Sequence, residues 1–301
     1  MRVIFMGWFR FRFRKVLIDF HTPEFAVEAV KNFNAKKWVE VLKKANVNAL
    51  VFFAQDAYGN AYFPTKVGHK HRGVTQDMLG EIIKEAHEID IKVIAYVNTR
   101  LNRHAATLNP DWAMRDPEGN PIRSGPRSIL VCLNSPYVEE WLFPLVEEIV
   151  RNYDIDGFFF DRGSFQGLCY CDYCKAKFAR EYGVEPPTNP RDPMWWTYVR
   201  WQLRKNFEFV KELRRRVKAI KPEVEVGFNG VFAMPSPFFK LGMDWDYVTS
   251  ESHNPLAHSF AGGYIDDFIF GFIRNRREIL VIIRPRLSPL SHPSFAYPYQ
   301  I

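Results

Sequence analysis

Apolar runs of strand length alternate with longer stretches of helical period along almost the whole chain, and this alternation confines the fold to parallel βα units. The first strand is expected over residues 15–21, and Thr22-Pro23-Glu24 after it supplies an N-cap, a first-turn proline and an acid, which predict a helix start. A stronger helix begins at Asn34, with Trp38, Val39, Leu42 and Ala45 on one face. Further strands are expected over residues 49–54, 91–97, 155–160, 224–228, 245–249 and 279–283. Helices are expected from Thr75 to Ala86, over residues 137–152 and 195–220, and around 265–277. A cysteine-rich loop and a proline-rich stretch (186–193) separate the fourth strand from the long helix.

Seven such steps in 301 residues predict an α/β fold, a TIM (β/α)8 barrel rather than a doubly wound sheet. Only seven βα units are readable, with a short Pro- and Ser-rich tail after the seventh strand. Three explanations compete: an open barrel, a strand from residues 1–5 in the gap, or a truncated C-terminal end. Residues 1–14 read as an N-terminal arm or extra strand and residues 15–301 as the barrel domain.

A barrel of this kind gathers the residues that follow its strands into one pocket at its C-terminal face. Here they are Asp19 and His21, Asn98 and Arg100, Asp161 and Arg162, Asn229, Glu251 and His253, and Arg284. The set holds two carboxylates far apart in sequence, Asp161 and Glu251, and glycoside hydrolysis needs such a pair. Asp161 directly follows three phenylalanines, where desolvation and neighbouring charges can tune a carboxyl group. The competing reading of any one of these polar residues is a loop cap or a hydrogen bond to a neighbouring loop. Asp156 reads as structural, since Gly157 follows it at the start of the fourth strand.

The most specific spacing in the chain is Cys169-x-Cys171-x-x-Cys174, with Cys132 in the preceding unit. Four thiolates make a closed tetrahedral zinc site, which is structural because no position is left for substrate. A disulfide with two free thiols, or four inert buried cysteines, are the alternatives. Residues 1–15 lack the cleavage site of a signal peptide, and the default expectation is a cytoplasmic protein, where cysteines favour metal; a hyperthermophilic source would restore the disulfide reading. No run of eighteen apolar residues is present, so no membrane partner is expected. The net charge of +7 is scattered, and its densest run, Arg214 to Arg216, lies on a helical pattern, so nucleic acid is not expected as a partner.

Aromatic residues make up 16% of the chain; such rings line sugar clefts but more often fill cores. Trp112, Tyr58 and Tyr62 are the candidate stacking platforms. His69 and His71 flank a lysine and read as surface or substrate-loop residues, and no histidine motif for a catalytic metal occurs. A nucleophile elbow and phosphate-binding glycine loops are absent, and no organic cofactor is expected.

Four segments together resemble the hypothetical glycosyl hydrolase family six: 18–24, 62–68, 132–137, and 156–161 followed by the cysteine loop. The likeness runs from about residue 15 to residue 284 and implies an α-amylase-like barrel with a carbohydrate substrate. Resemblance to barrel α-glycosidases and α-L-fucosidases implies Asp161 as nucleophile, and resemblance to related α-galactosidases implies Glu251 as acid/base. The chain is then expected to be a retaining, exo-acting glycosidase, with the strand-end residues Asp19, His21, Asn98, Arg100, Arg162, Asn229, His253 and Arg284 on the sugar. The cysteine pattern is similar to the zinc cluster of family forty-two β-galactosidases. Those enzymes use glutamates after strands four and seven, where this chain has Asp161 and Arg284, so their mechanism does not transfer. The loop 55–60 departs from the family pattern. Family relatives often carry a trimerisation domain, which makes a homo-oligomer an expectation by resemblance alone. The rival class is a non-catalytic carbohydrate-binding or scaffold barrel that has lost its C-terminal part.

Overall fold

The computed structural model describes residues 8–124, 128–163, 165–229, 246–249 and 280–283. Seven strands in it are parallel: β1 (Lys15–Ile18), β2 (Ala49–Gln55), β5 (Lys92–Asn98), β6 (Gly157–Asp161), β7 (Glu225–Asn229), β8 (Tyr247–Thr249) and β9 (Leu280–Ile283). They run side by side in the order β9-β1-β2-β5-β6-β7-β8, so neighbours in sequence are neighbours in space until the seventh returns beside the first. This is the strand order of a (β/α) barrel. No eighth strand joins these seven in the barrel order among the described residues, and the notion that residues 1–5 fill the gap lies outside them. Two short strands, β3 (Asn60–Ala61) and β4 (His69–Lys70), extend the C-terminal end of β2.

Strand β2 is buried at all seven positions, as expected of a parallel strand covered on both faces. Helix α2 (Ala35–Lys44) starts where Asn34 accepts the Lys37 N–H at 3.0 Å, and its Trp38 meets Phe52 of β2 edge to face at 5.8 Å. Asp77 likewise caps α3 (Met78–His87) by accepting the Gly80 N–H at 2.9 Å. The helix expected over 137–152 opens with a π-helical turn, Val138–Leu142, before α5 (Phe143–Asn152). Phe143 of α5 stacks on Phe209 of α7 (Trp195–Ile220), and the Arg216 guanidinium lies 4.2 Å above the same ring.

Three local expectations need correction. Thr22-Pro23-Glu24 starts no helix: the Thr22 hydroxyl donates to Phe20 O at 2.6 Å and its N–H donates to Asp56, so its capping groups are spent. The first helix, α1 (Glu28–Lys31), begins only after Val27. Helices α4 (Arg103–Leu108), capped by Asn102, and α6 (Asp172–Tyr182) occupy segments read as loops. Gly183 ends α6 at a φ of 74°, a left-handed position that glycine adopts without strain.

Below the strands, a 3-10 turn at Trp8–Phe11 packs against their N-terminal ends. The Trp8 indole donates to Asp156 O at 3.1 Å, and the Lys15 ammonium lies 4.0 Å over the Phe9 ring. The Asp156 carboxylate accepts from His87, Lys92 and the Val93 N–H at 2.7–2.8 Å, tying α3, β5 and the start of β6 together.

Candidate active site

Asp161 is the last residue of β6 and pairs in register with Asn98, the last of β5; two residues earlier Phe159 pairs with Tyr96. Side chains two apart share a strand face, so Tyr96, Asn98, Phe159 and Asp161 point the same way. Phe53, Tyr96 and Phe159 form one aromatic layer, with ring centroids 4.0 Å and 5.5 Å apart and planes within 20°. The Asp161 carboxylate stands at the strand end above this layer, half-buried.

Four donors hold it. Oδ2 accepts from the Tyr96 hydroxyl at 2.7 Å and from Asn98 Nδ2 at 3.0 Å. Oδ1 accepts from Asn229 Nδ2 at 3.0 Å and from the Arg162 N–H at 2.8 Å. Arg162 takes a φ of 59°, uncommon for a non-glycine residue, at the point where its N–H meets the carboxylate. Burial, and next the Asp161 charge, raise the Tyr96 phenol well above its ordinary value, so it remains a donor at neutral pH. Asn98 is itself locked, since its Oδ1 accepts from the Arg100 and Leu101 N–H groups.

Beside this carboxylate lie Asp19 and His21, from the loop after β1. The His21 ring meets Tyr96 at 5.7 Å and Phe53 at 4.7 Å. Its Nδ1 accepts the Ala57 N–H, which leaves the proton on Nε2, 3.6 Å from Asp19 Oδ1. The loop after β2 is organised by Asp56, fully buried, which accepts from the N–H groups of Thr22, Tyr58 and Asn60 and from the Tyr62 hydroxyl. Burial pushes the Asp56 carboxyl up from its ordinary value, against the pull of His21 and these donors.

Of the residues expected around a sugar, the structure brings Asp19, His21, Asn98, Arg162 and Asn229 together with Asp161. Arg100 faces elsewhere: it is buried, with Nη1 toward Met114 Sδ at 3.6 Å and Nη2 bonded to Asn206, and burial brings its guanidinium down to about 10 against the opposing pull of the cysteine cluster. The Arg162 guanidinium donates to Gln166 Oε1 and Ser124 Oγ. Two expected platforms are corrected by burial: Trp112 is core, and Tyr62 is sealed under Thr22 with its hydroxyl on Asp56. Tyr58 keeps part of its surface. Glu251, His253 and Arg284 lie outside the described residues. Reading only strand-end residues missed Tyr96 and Asp56. The inward alternation from Asn98 back to Tyr96 could have found the first; no spacing signal marks the second.

The four cysteines converge. All are buried and free, and their Sγ atoms lie within 4.8 Å of one another, Cys132 and Cys174 at 3.4 Å. Sulfurs about 2.3 Å from a tetrahedral zinc stand about 3.8 Å apart, so the cage has the right size. Hydrogen bonds from Cys132 and the other thiols pull Cys169 below a thiol's ordinary value, while Cys132 and Cys174 are held above it, so a thiolate in this cluster forms first on Cys169. The Asn134 N–H donates to Cys132 Sγ and Asn134 Nδ2 to Cys174 Sγ, both at 3.3 Å, while Tyr198 and Gln202 of α7 hold Cys169 O. The donor set fits a metal ion, and it fastens the segment after Asp161 and the start of α6 to the loop that carries Cys132.

Known proteins resemble this chain in sequence and fold. The α-L-fucosidase isoenzyme 2 from Paenibacillus thiaminolyticus superposes with a TM-score of 0.65 at 32% identity, covering 73% of this chain and 32% of that one. A β-galactosidase from a Rahnella species reaches a TM-score of 0.67 at 16% identity over 90% of this chain and 44% of its own, a likeness that shows the barrel fold. Glycosyl hydrolase DigH of Escherichia coli is 22% identical over 85% of this chain. The chain spans 58% of the length of that curated relative. The resemblance read from the motifs stands on a defined segment: residues 34–162 match the family described as hypothetical glycosyl hydrolase 6.

Proposed function

We propose that this chain is a retaining, exo-acting glycoside hydrolase with Asp161 as its nucleophile. The observation that carries the reading is the half-buried Asp161 carboxylate, fixed by four donors at the C-terminal end of a barrel strand. An Asp161 oxygen would attack the anomeric carbon while the bond to the leaving oxygen breaks, and that oxygen would take a proton from the acid/base residue. Water, giving its proton back to the same residue, would then cleave the glycosyl ester and free Asp161. Glu251 is the acid/base in this scheme. Tyr96, Asn98, Asn229 and the Arg162 N–H orient the nucleophile and spread its charge, and Asp19 with His21 would bind sugar hydroxyls. Zinc in the cage of Cys132, Cys169, Cys171 and Cys174 would be structural, with no position left for substrate.

An α-L-fucoside is the first substrate to try, given the name of the relative at 32% identity. The test is nitrophenol release from a panel of α- and β-glycosides, fucosides and galactosides included. Turnover of one glycoside supports the reading. Binding of a sugar without turnover by the folded chain would replace it with the carbohydrate-binding barrel.

A further inference from the structure

Three loops that follow neighbouring strands meet at a second cluster, apart from the cysteines and from Asp161. Glu24 comes from the loop after β1, His69 from β4 beyond the end of β2, and His104 from α4 after β5. Glu24 Oε1 lies 3.0 Å from His69 Nε2 and 3.9 Å from His104 Nε2. The two imidazoles stack with centroids 3.6 Å apart and planes within 19°, so both Nε2 atoms address one carboxylate oxygen. Asn60 Oδ1 lies 2.7 Å from His104 Nε2, and Asn60 is fixed by donating to Thr22 O at 2.8 Å. The other carboxylate oxygen of Glu24 faces Arg72, whose guanidinium Nε is 3.8 Å away.

We propose that Glu24, His69 and His104 bind a divalent transition-metal ion that clasps these three loops together at the mouth of the barrel. Ligand atoms about 2.0–2.2 Å from a tetrahedral ion stand about 3.3–3.6 Å apart, and the two separations from Glu24 bracket that range. Two imidazoles and one carboxylate suit zinc, with a fourth position for water or the Asn60 amide oxygen. Arg72 and the Asn60 bond to Thr22 O supply the outer partners that orient such ligands. His104 Nε2, which here bonds Asn60 Oδ1 at 2.7 Å, would turn its lone pair to the ion as the two rings splay apart, leaving that amide oxygen free to be a further ligand. The inference is independent of the glycosidase reading.

The test is metal stoichiometry of the whole chain after dialysis against Zn²⁺, for the parent, His69→Ala, His104→Ala, Glu24→Gln and Cys174→Ser. Each of the first three variants is expected to lose about one equivalent that Cys174→Ser retains. Titration of the metal-free parent with Co²⁺ needs no variant to fold. It should reveal visible bands of a nitrogen and oxygen site distinct from the thiolate charge-transfer band of the cysteines. Unchanged stoichiometry in the three variants, or only the thiolate spectrum in the parent, would overturn the site.

Discussion

The Tyr96 hydroxyl donates to Asp161 Oδ2 at 2.7 Å from the neighbouring strand, two residues below the position where Asn98 pairs in register with Asp161. The phenol is buried, kept protonated, and stacked between Phe53 and Phe159, so its direction is set by core packing. The Asp161 carboxylate is thus aimed by the barrel interior as well as by its own loop.

Tyr96→Phe keeps the ring and removes this donor. A hydrogen bond to a charged group contributes about 1.5–3 kcal/mol, so kcat/KM is expected to fall about 10- to 150-fold. Thermal unfolding should move little. Steady-state kinetics beside a melting curve separate the two effects.

Gly163 follows the strained Arg162, and a Cβ there would run into the Phe228 ring, next to Asn229. Gly163→Ala is expected to cost about 1–3 kcal/mol in stability through overpacking and to shift the Asn229 amide off Asp161. Urea unfolding should show the loss. Activity at a temperature where the variant is folded should fall further than its folded fraction does.

His87 and Asp156 form a pH-dependent tie at the opposite end of the barrel. The hydrogen bond to Asp156 raises His87 above its ordinary 6.5, so this stabilisation is complete below that value and is lost as pH climbs through the higher folded pKa. Burial pushes Asp156 up, but His87, Lys92 and the Val93 N–H outweigh it and bring the carboxyl below 3.8. Its share is therefore present above 3.8 and is lost as pH falls through the lower folded value. His87→Ala should separate from the parent in unfolding free energy more at about pH 5.5 than at about pH 9.

The cysteine cage joins the loop after Asp161 and the start of α6 to the loop that carries Cys132. Cys174→Ser is expected to abolish about one equivalent of bound zinc and to lower Tm, because metal-binding free energy is folding free energy at such sites. Metal analysis with calorimetry checks both, and a chelator should lower the parent's Tm toward that of the variant.

The strands were readable because each is a short apolar run, as in residues 49–55, which are buried throughout. Helix boundaries with side-chain caps, Asn34 and Asp77, were readable for the same local reason. Thr22-Pro23-Glu24 misled because its capping groups are taken by Asp56, Phe20 and His69, partners far away in sequence or behind it. Helix α6 hid behind the cysteine spacing, although Cys174 and Phe178 at i and i+4 mark its buried face. In the site, Asp161 stood out as an ionisable residue ending an apolar run. Tyr96 did not, because within the strand it reads as one more core aromatic. Arg100 illustrates the limit of strand-end reasoning: it follows a strand, yet its side chain turns under the cysteine cluster toward Asn206.

The central claim is that Asp161 forms a covalent bond to the sugar. The most direct measurement is intact and peptide mass spectrometry of the chain after reaction with a 2-deoxy-2-fluoro analogue of whichever glycoside it cleaves. A glycosyl adduct on the peptide bearing Asp161, absent in Asp161→Asn, is the predicted result. An adduct on another carboxylate, or turnover by Asp161→Asn equal to the parent's, would contradict it.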